Sequence, residues 1–454
     1  MSKKRVVVIG GGPGGYVAAI RLAQLGASVA LVEGDELGGT CLNRGCIPTK
    51  VLLHAAELWE DIGEAKTFGI AVKDRRLDWS ALMRRKQETV GQLTRGVGFL
   101  MRKHGVEVIR GHAVFAGPRA LEVTTADAKT SSLAAEAFVI ATGSEPALPP
   151  VPGFDLPGVA TSTEALSFEA PPQSLAVVGG GVIGVELAFV YAALGTKVTI
   201  VEALPGILAA VDDDLVAVVL ARLGKLGVAV HTGVAVSRLT PHAKGFALEV
   251  GGAKPFSVVA EKVLVCTGRR PMTEGLGLER AGVARDRRRI LTGSDQRTNV
   301  EHICAIGDCT SPVMLAHAAS HQGLIAAETI MGTQTHPTPA AIPGAIYTRP
   351  EIAWVGLTEK EARAKGGDIL VGRFPLAANG KSLIMNAGEG MIKVIADAHY
   401  RQILGVHIVG PRATDMIAEA GLGLTLEATL DDVIATIHAH PTVSEALAEA
   451  ALAA

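Results

Sequence analysis

The chain has 454 residues, 48% of them hydrophobic, with 43 Lys and Arg set against 45 Asp and Glu for a formal charge of −2. Charges are spread along its length with no uninterrupted apolar run of about 18 residues, which excludes a membrane-spanning helix, and the even balance offers nucleic acid no basic field. The one dense basic cluster, Arg285 to Arg289, is short and reads as a solvated turn. At roughly 100 to 200 residues per domain, three or four domains are expected.

Only Ser2 to Arg5 separate the first Met from an apolar strand. That leaves no room for a targeting peptide, so the cytoplasm is the expected location. The strand, RVVVIG from Arg5 to Gly10, runs into glycines 10, 12 and 15, a G-x-G-x-x-G turn, and then into a helix expected from Tyr16 to Leu25 and closed by Gly26. A second strand from Ser28 ends in Glu33, 18 residues after Gly15. Strand, glycine turn, helix and acid in this register read as a dinucleotide site. The glycines let the backbone approach a pyrophosphate at the helix N-terminus, and the acid accepts hydrogen bonds from ribose hydroxyls.

Immediately afterwards comes GGTCLNRGCIPTK, residues 38–50, with Cys41 and Cys46 separated by four residues. A disulfide needs Cα atoms roughly 4.4 to 6.8 Å apart, so this spacing requires a helical turn or tight loop between the two. The alternatives are a pair of small core cysteines or half of a zinc site, the latter disfavoured because no nearby Cys or His pair has ligand spacing. No metal is expected. In a reducing compartment a close cysteine pair reads as catalytic or redox-sensing rather than as a static disulfide.

Asp78 to His104 reads as a long helix stopped by Gly105 and packed on the first module. Phe138 to Gly143 is a strand ending in Thr142-Gly143, and the proline-rich stretch 146–157 reads as a linker, with a boundary near residue 150. The fingerprint then recurs: strand Ser174 to Gly179, glycines 179, 181 and 184, a helix expected from Val185 to Leu194, and a strand ending in Glu202, again 18 residues after the last glycine. Val263 to Gly268 matches the earlier Thr-Gly strand. A carboxylate at Glu202 repels a 2′-phosphate, so NAD is favoured over NADP. Two dinucleotide modules and a cysteine pair point to electrons passing between two nucleotides and a disulfide. From about Pro337 the character changes to strand-rich, with AGEGMIKVIAD and QILGVHIVG as two runs.

Taken in order, GGGPGG (10–15), GGTCLNRGCIPTK (38–50), ATG (141–143), GGGVIGVE (179–186), CTGRRP (266–271), AIGD (305–308), YTRPEIAWVGLTE (347–359) and HAHPTVSEA (438–446) resemble the pyridine nucleotide–disulfide oxidoreductases over nearly the whole chain. The likeness is strongest to the members that reoxidise dihydrolipoamide on the lipoyl domains of 2-oxoacid dehydrogenase complexes or the glycine cleavage system. It implies an α/β fold of two Rossmann-like dinucleotide-binding domains plus a C-terminal α+β dimerisation domain. The implied boundaries are 1–148 for FAD, 149–270 for NAD, 271–335 for a central domain completing the FAD site, and 336–454 for the homodimer interface.

The resemblance places FAD contacts at Gly10, Gly12, Gly15, Glu33, Gly39, Thr40, Lys50, Ala113, Thr142, Gly143, Asp308, Leu315, Ala316 and His317. NAD contacts fall at Gly179, Gly181, Gly184, Glu186, Glu202, Val236 and Gly268. Lys50 would sit beside the flavin, paired with Glu186. His440, oriented by Glu445, would act as acid/base toward the Cys41–Cys46 pair of the other subunit. The chemistry needs such a group on its own account, because thiol–disulfide exchange proceeds through a thiolate whose proton must be removed and returned. His438 lies two residues away, and only the motif register selects His440 over it. Cys266, Cys304 and Cys309 depart from the pattern and read as buried or incidental, and Ala318, where the family often has a basic residue, is a departure that bears on the details of the flavin contacts. The absence of a cysteine in the terminal AEAALAA argues against relatives that pass electrons to a tail thiol. The rival readings are a glutathione reductase-like enzyme running from NADPH to a disulfide, and a non-catalytic structural subunit that would purify colourless.

Overall fold

The computed structural model describes residues 3–333 and 341–454. These form two compact units, one of residues 3–51, 80–147 and 268–333, the other of residues 52–79, 148–267 and 341–454. The junction expected at 335/336, and the start of the strand-rich region at Pro337, lie outside the described residues.

In the first unit, Arg5–Ile9 lies at the centre of a five-stranded parallel sheet, between Ser28–Glu33 and Ala137–Ile140, with Glu107–Arg110 and Ile303–Ala305 at the edges. A parallel strand covered on both faces reads as an unbroken apolar run, which is why RVVVI shows no alternation. The alternation appears instead in what each residue packs against. Val6, Val8, Leu31 and Val139 face Leu22, Ala326, Val97 and Met101 of helices Pro13–Gln24, Ala316–Met331 and Trp79–Lys103. Val7, Ile9, Val32 and Phe138 face Phe115, Leu121 and Val123 of a three-stranded antiparallel meander.

The second unit repeats this plan. Ser174–Val178 is central between Lys197–Val201 and Lys262–Val265, with Ala229–His231 and Val159–Ala160 outermost, and a second meander spans residues 236–260. The duplication therefore extends beyond the glycine fingerprints to the meanders. It differs at one edge strand, which precedes the glycine turn in the second module (Val159–Ala160) and follows the whole of the second module in the first (Ile303–Ala305).

The fingerprint helices begin three residues earlier than expected, at Pro13 and Val182. The glycine turn is itself the N-cap and first turn, and Pro13 has the fixed φ that suits such a position. The proline-rich stretch is not a free tether. Phe154 is buried in the second module's core, and Leu239 N–H donates to the Pro152 carbonyl at 2.9 Å. Arg285–Asp286 and Arg289–Ile290 pair as a small hairpin whose arginines 285, 287 and 289 are exposed while Ile290 is buried in the core.

The C-terminal sheet of the second unit is antiparallel, in the order 344–346, 351–356, 403–410, 391–397, 369–375. Helices Ala413–Thr425 and Glu445–Leu452 cover it through Ile417, Ala420, Ala446 and Leu447. Lys393 occupies the middle of this sheet with its side chain 1% exposed, and its ammonium lies 2.6 Å from Asp212 and 2.8 Å from Asp214. Those acids open helix Asp213–Lys225, where the N-terminal end of the helix dipole favours negative charge. Burial raises the Asp214 pKa, but Lys393 and then Arg373 outweigh it and hold the carboxyl below its ordinary range.

Removing one partner of a buried ion pair leaves the other uncompensated, so Lys393→Ala should lose about 3–5 kcal/mol of stability at pH 7, measured by urea unfolding. Because the Asp214 pKa is depressed on folding, its contribution is present above the unfolded carboxylate value and is lost as pH falls through the folded value. The gap between wild type and variant should accordingly narrow on acidification.

Candidate active site

Gly39–Arg44 forms one short helix and Cys46–Glu64 a second, broken at Gly45. This break is the folded connection that the cysteine spacing requires. It brings Cys41 and Cys46 into contact as half-buried thiols, with the Cys41 S–H donating to Cys46. That hydrogen bond is the main force raising the Cys41 pKa, followed by burial and the charge of Cys46, while Lys50 and the Cys46 backbone N–H pull it down. Cys46 is the first residue of a 19-residue helix, where the helix dipole favours a thiolate. The pair is thus asymmetric: Cys41 keeps its proton and Cys46 is placed to carry charge. Tyr16, which the sequence reading passed over, has its phenol pKa raised first by burial and then by both sulfurs, so it lies within their field.

The cysteine helix is seated on the first glycine turn. Gly38 N–H donates to the Gly11 carbonyl at 2.8 Å, and a Cβ on Gly39 would come within 2.7 Å of the Gly12 Cα. Asn43 ties the helix down by donating to the carbonyls of Leu37 and Gly39, at 3.1 and 2.9 Å, and accepts from Thr94 at 3.2 Å. Thr40 is the second residue of this helix.

The two glycine turns match at the level of single atoms. Glu33 accepts from Gly11 N–H at 2.5 Å and Asp35 N–H at 2.8 Å, while Glu202 accepts from Gly180 N–H at 2.5 Å and Leu204 N–H at 2.7 Å. Each acid is locked at the end of its strand by the turn it serves. Gly10 and Gly179 have φ of +101° and +111°, and a Cβ on either would strike the carbonyl of the neighbouring strand, Ala141 or Cys266. Gly15 and Gly184 let their helices press against the Gly10 and Gly179 carbonyls. The middle glycines differ: a Cβ on Gly181 would meet nothing within 4 Å, and one on Gly12 only the Gly39 Cα at 4.0 Å. These are open faces at a helix N-terminus that a side chain would fill, which fits the pyrophosphates of FAD and NAD.

Asp308 follows the Ile303–Ala305 edge strand and accepts from Ser144 Oγ at 2.5 Å. Ser144 is held in turn by Arg269, whose Nε donates to Oγ and Nη2 to the carbonyl, both at 2.7 Å. Neither Ser144 nor Arg269 was singled out from the sequence, although Arg269 lies inside the CTGRRP motif. Thr142 Oγ donates to the Met272 carbonyl at 2.6 Å, and Gly143 has φ of +72°. Leu315 caps helix Ala316–Met331, placing Ala316 and His317 in its first turn. Ala113 and Val236 point into the cores of their modules, which leaves their backbones for any cofactor contact. Gly268 has φ of +132° with open space beside it. Glu186 is 3% exposed and accepts from Tyr347 N–H at 3.0 Å.

The two C-terminal histidines are separated by their surroundings. His440 is 81% exposed, with Nδ1 2.9 Å from Glu445, whereas the His438 side chain is 7% exposed and engaged by Glu419 at 2.8 Å. The Glu445 carboxyl is held below its usual range first by the Thr442 N–H and then by the His440 ring. Only His440 is free to meet an external thiol. Cys304 and Cys309, despite their matching gap, lie on opposite faces of the first sheet and belong to different core clusters. Burial pushes their pKa values up to about 12 and about 11. Among the described residues no group of three or more His, Cys, Asp or Glu is placed to hold a metal ion, and no helix is long and apolar enough to cross a membrane.

A family model described as pyridine nucleotide-disulphide oxidoreductase matches residues 4–323, and the dimerisation domain of the same family matches residues 342–451. Dihydrolipoyl dehydrogenase 3 of Pseudomonas aeruginosa is 45% identical, over 100% of this chain and 98% of its own. The dihydrolipoyl dehydrogenase of Thermus scotoductus is also 45% identical, over 98% of this chain and 96% of its own. Among solved structures, LpdA from Mycobacterium tuberculosis superposes with a TM-score of 0.92 at 26% identity, covering 99% of each chain.

The contrast between the glycines is directly testable. Gly181→Val fills open space, so it should leave the melting temperature within about 2 °C of wild type while weakening NAD binding by about 100-fold or more, read by isothermal titration. Gly184→Val forces the helix off the Gly179 carbonyl and should lower the melting temperature itself.

Proposed function

The chain belongs to the pyridine nucleotide-disulphide oxidoreductases, and from that premise we propose that it oxidises dihydrolipoamide with NAD⁺, using FAD and the Cys41–Cys46 pair. The observation that carries this reading is the hydrogen-bonded thiol pair seated against the first glycine turn, with Cys46 at a helix N-terminus.

In its disulfide form, the Cys41–Cys46 pair accepts two electrons from the substrate by exchange. One dihydrolipoamide sulfur, as a thiolate, attacks Cys41 and the Cys41–Cys46 bond breaks, leaving Cys46 as a thiolate. The second substrate sulfur then displaces Cys41, giving lipoamide and a dithiol in the arrangement described above. Both exchanges need a proton removed from a thiol and one returned. His440, held by Glu445, is the group exposed for this task, and it serves the cysteine pair of a second copy of the chain. Residues 342–451, matching the dimerisation domain, form the homodimer contact. FAD, when bound, supplies the two-electron transfer between the dithiol and nicotinamide. Glu33 and Asp308 hold the flavin nucleotide's hydroxyls, Lys50 with Glu186 tunes the site, and Glu202 selects NAD through its carboxylate. In this reading residues 1–148 and 271–335 bind FAD, 149–270 bind NAD, and 336–454 dimerise. The physiological donor is dihydrolipoamide on a lipoyl domain, bound to the acyltransferase core of a cytoplasmic 2-oxoacid dehydrogenase complex.

The test is NADH formation from dihydrolipoamide with NAD⁺ and, in parallel, NADP⁺ by the FAD-loaded protein. The expected preference in kcat/KM is about 100-fold or more for NAD⁺, worth about 2.7 kcal/mol. Cys46→Ser should keep stoichiometric FAD yet lose about 1,000-fold or more of dithiol turnover. Retained turnover in this variant, or faster turnover with oxidised glutathione and NADPH, would overturn the assignment.

A further inference from the structure

Resting on the reading above, we propose that His438, clamped by Glu419, is a positioning residue for His440, fixing the loop that carries the acid–base group. The loop runs between helices Leu430–Ala435 and Glu445–Leu452. Of residues 437–441, all but His438 are exposed, and Ile437 is 97% exposed. The one ring turned inward is gripped on both sides. Its Nε2 lies 2.8 Å from Glu419 on helix Ala413–Thr425, and its Nδ1 3.0 Å from the Thr436 carbonyl. That helix is itself fixed to the sheet through Ile417 and Ala420. On the far side of His440 the chain is held by Asn379, which donates to the Thr442 carbonyl at 3.0 Å, and by Thr442 N–H on Glu445 at 2.8 Å. His440 is therefore strung between two anchors, and His438 supplies the one on its N-terminal side.

The experiment compares wild type, His438→Gln and Glu419→Gln in dihydrolipoamide oxidation across pH. A parallel assay follows NADH oxidation by ferricyanide, a one-electron acceptor that needs no thiol exchange. For His438→Gln the expected result is a fall of about 10- to 100-fold in kcat with dihydrolipoamide, the scale of a misplaced catalytic group, with the ferricyanide rate and FAD content retained. The KM for dihydrolipoamide should stay within about twofold, because the acid–base group is displaced and the substrate contacts are not. Glu419→Gln keeps an acceptor for Nε2 and should give a smaller fall. A dihydrolipoamide kcat within twofold of wild type in His438→Gln would overturn the proposal. So would a parallel fall in the ferricyanide rate, which marks a merely structural role. If wild type itself fails to oxidise dihydrolipoamide while still reducing ferricyanide, the functional reading fails instead. Should His438→Gln lose FAD, Glu419→Gln decides by the same two criteria.

Discussion

The contact on which the first unit's chemistry depends is the approach of one backbone to another at Gly39 and Gly12. A side chain on Gly39 would part the cysteine helix from the dinucleotide turn, because its Cβ would already lie within 2.7 Å of Gly12. The Gly38 N–H to Gly11 carbonyl bond and the Asn43 clamp then fix the register. Cys41 and Cys46 gain their position from this contact and from the packing of their neighbours Leu42 and Ile47 against the core. The break at Gly45 sets the rest: it starts a new helix at Cys46, placing that sulfur at the N-terminus of a 19-residue helix while Cys41 sits in a six-residue one. Asymmetry between the two thiols comes from this placement together with the hydrogen bond and burial that raise the Cys41 pKa.

A duplicated dinucleotide module accounts for most of the remaining architecture, and the places where the copies differ are informative. Both lock their strand-end acid with the second glycine's N–H, and both carry an antiparallel meander on one face. The first module takes its edge strand, Ile303–Ala305, from far along the chain. That strand delivers Asp308 next to Ser144, where Arg269 completes a polar chain. The second module closes with Val159–Ala160 and gains no such acid. The two copies thereby differ in the polar groups along this edge.

Much of this was legible in the residues themselves. The two glycine turns, the acids 18 residues beyond them and the C-x4-C spacing are local patterns with backbone causes, so they survive without any knowledge of tertiary contacts. The helix starts were placed three residues late because the glycines were read as turn alone, whereas they also cap the helix. The proline-rich segment carried the composition of a linker but buries Phe154, and burial of a single aromatic is not visible in composition. The repeated gap between Cys304 and Cys309 resembled that between Cys41 and Cys46. What separates the two pairs is the sheet between the former and the helix break between the latter, neither of which spacing encodes. The choice between His438 and His440 likewise turned on Glu419, which is remote from the motif.

The central claim is that electrons from the nicotinamide side reach Cys41 and Cys46 and no other thiol of the chain. Alkylation of the oxidised FAD-loaded protein with iodoacetamide, before and after anaerobic addition of NADH, followed by peptide mass spectrometry, tests it directly. The account predicts no label on Cys41 or Cys46 before NADH and label on both afterwards, with Cys304 and Cys309 unlabelled throughout. Labelling of Cys41 and Cys46 that is already complete before NADH, or NADH-dependent labelling that appears at Cys266, Cys304 or Cys309 instead, would contradict it.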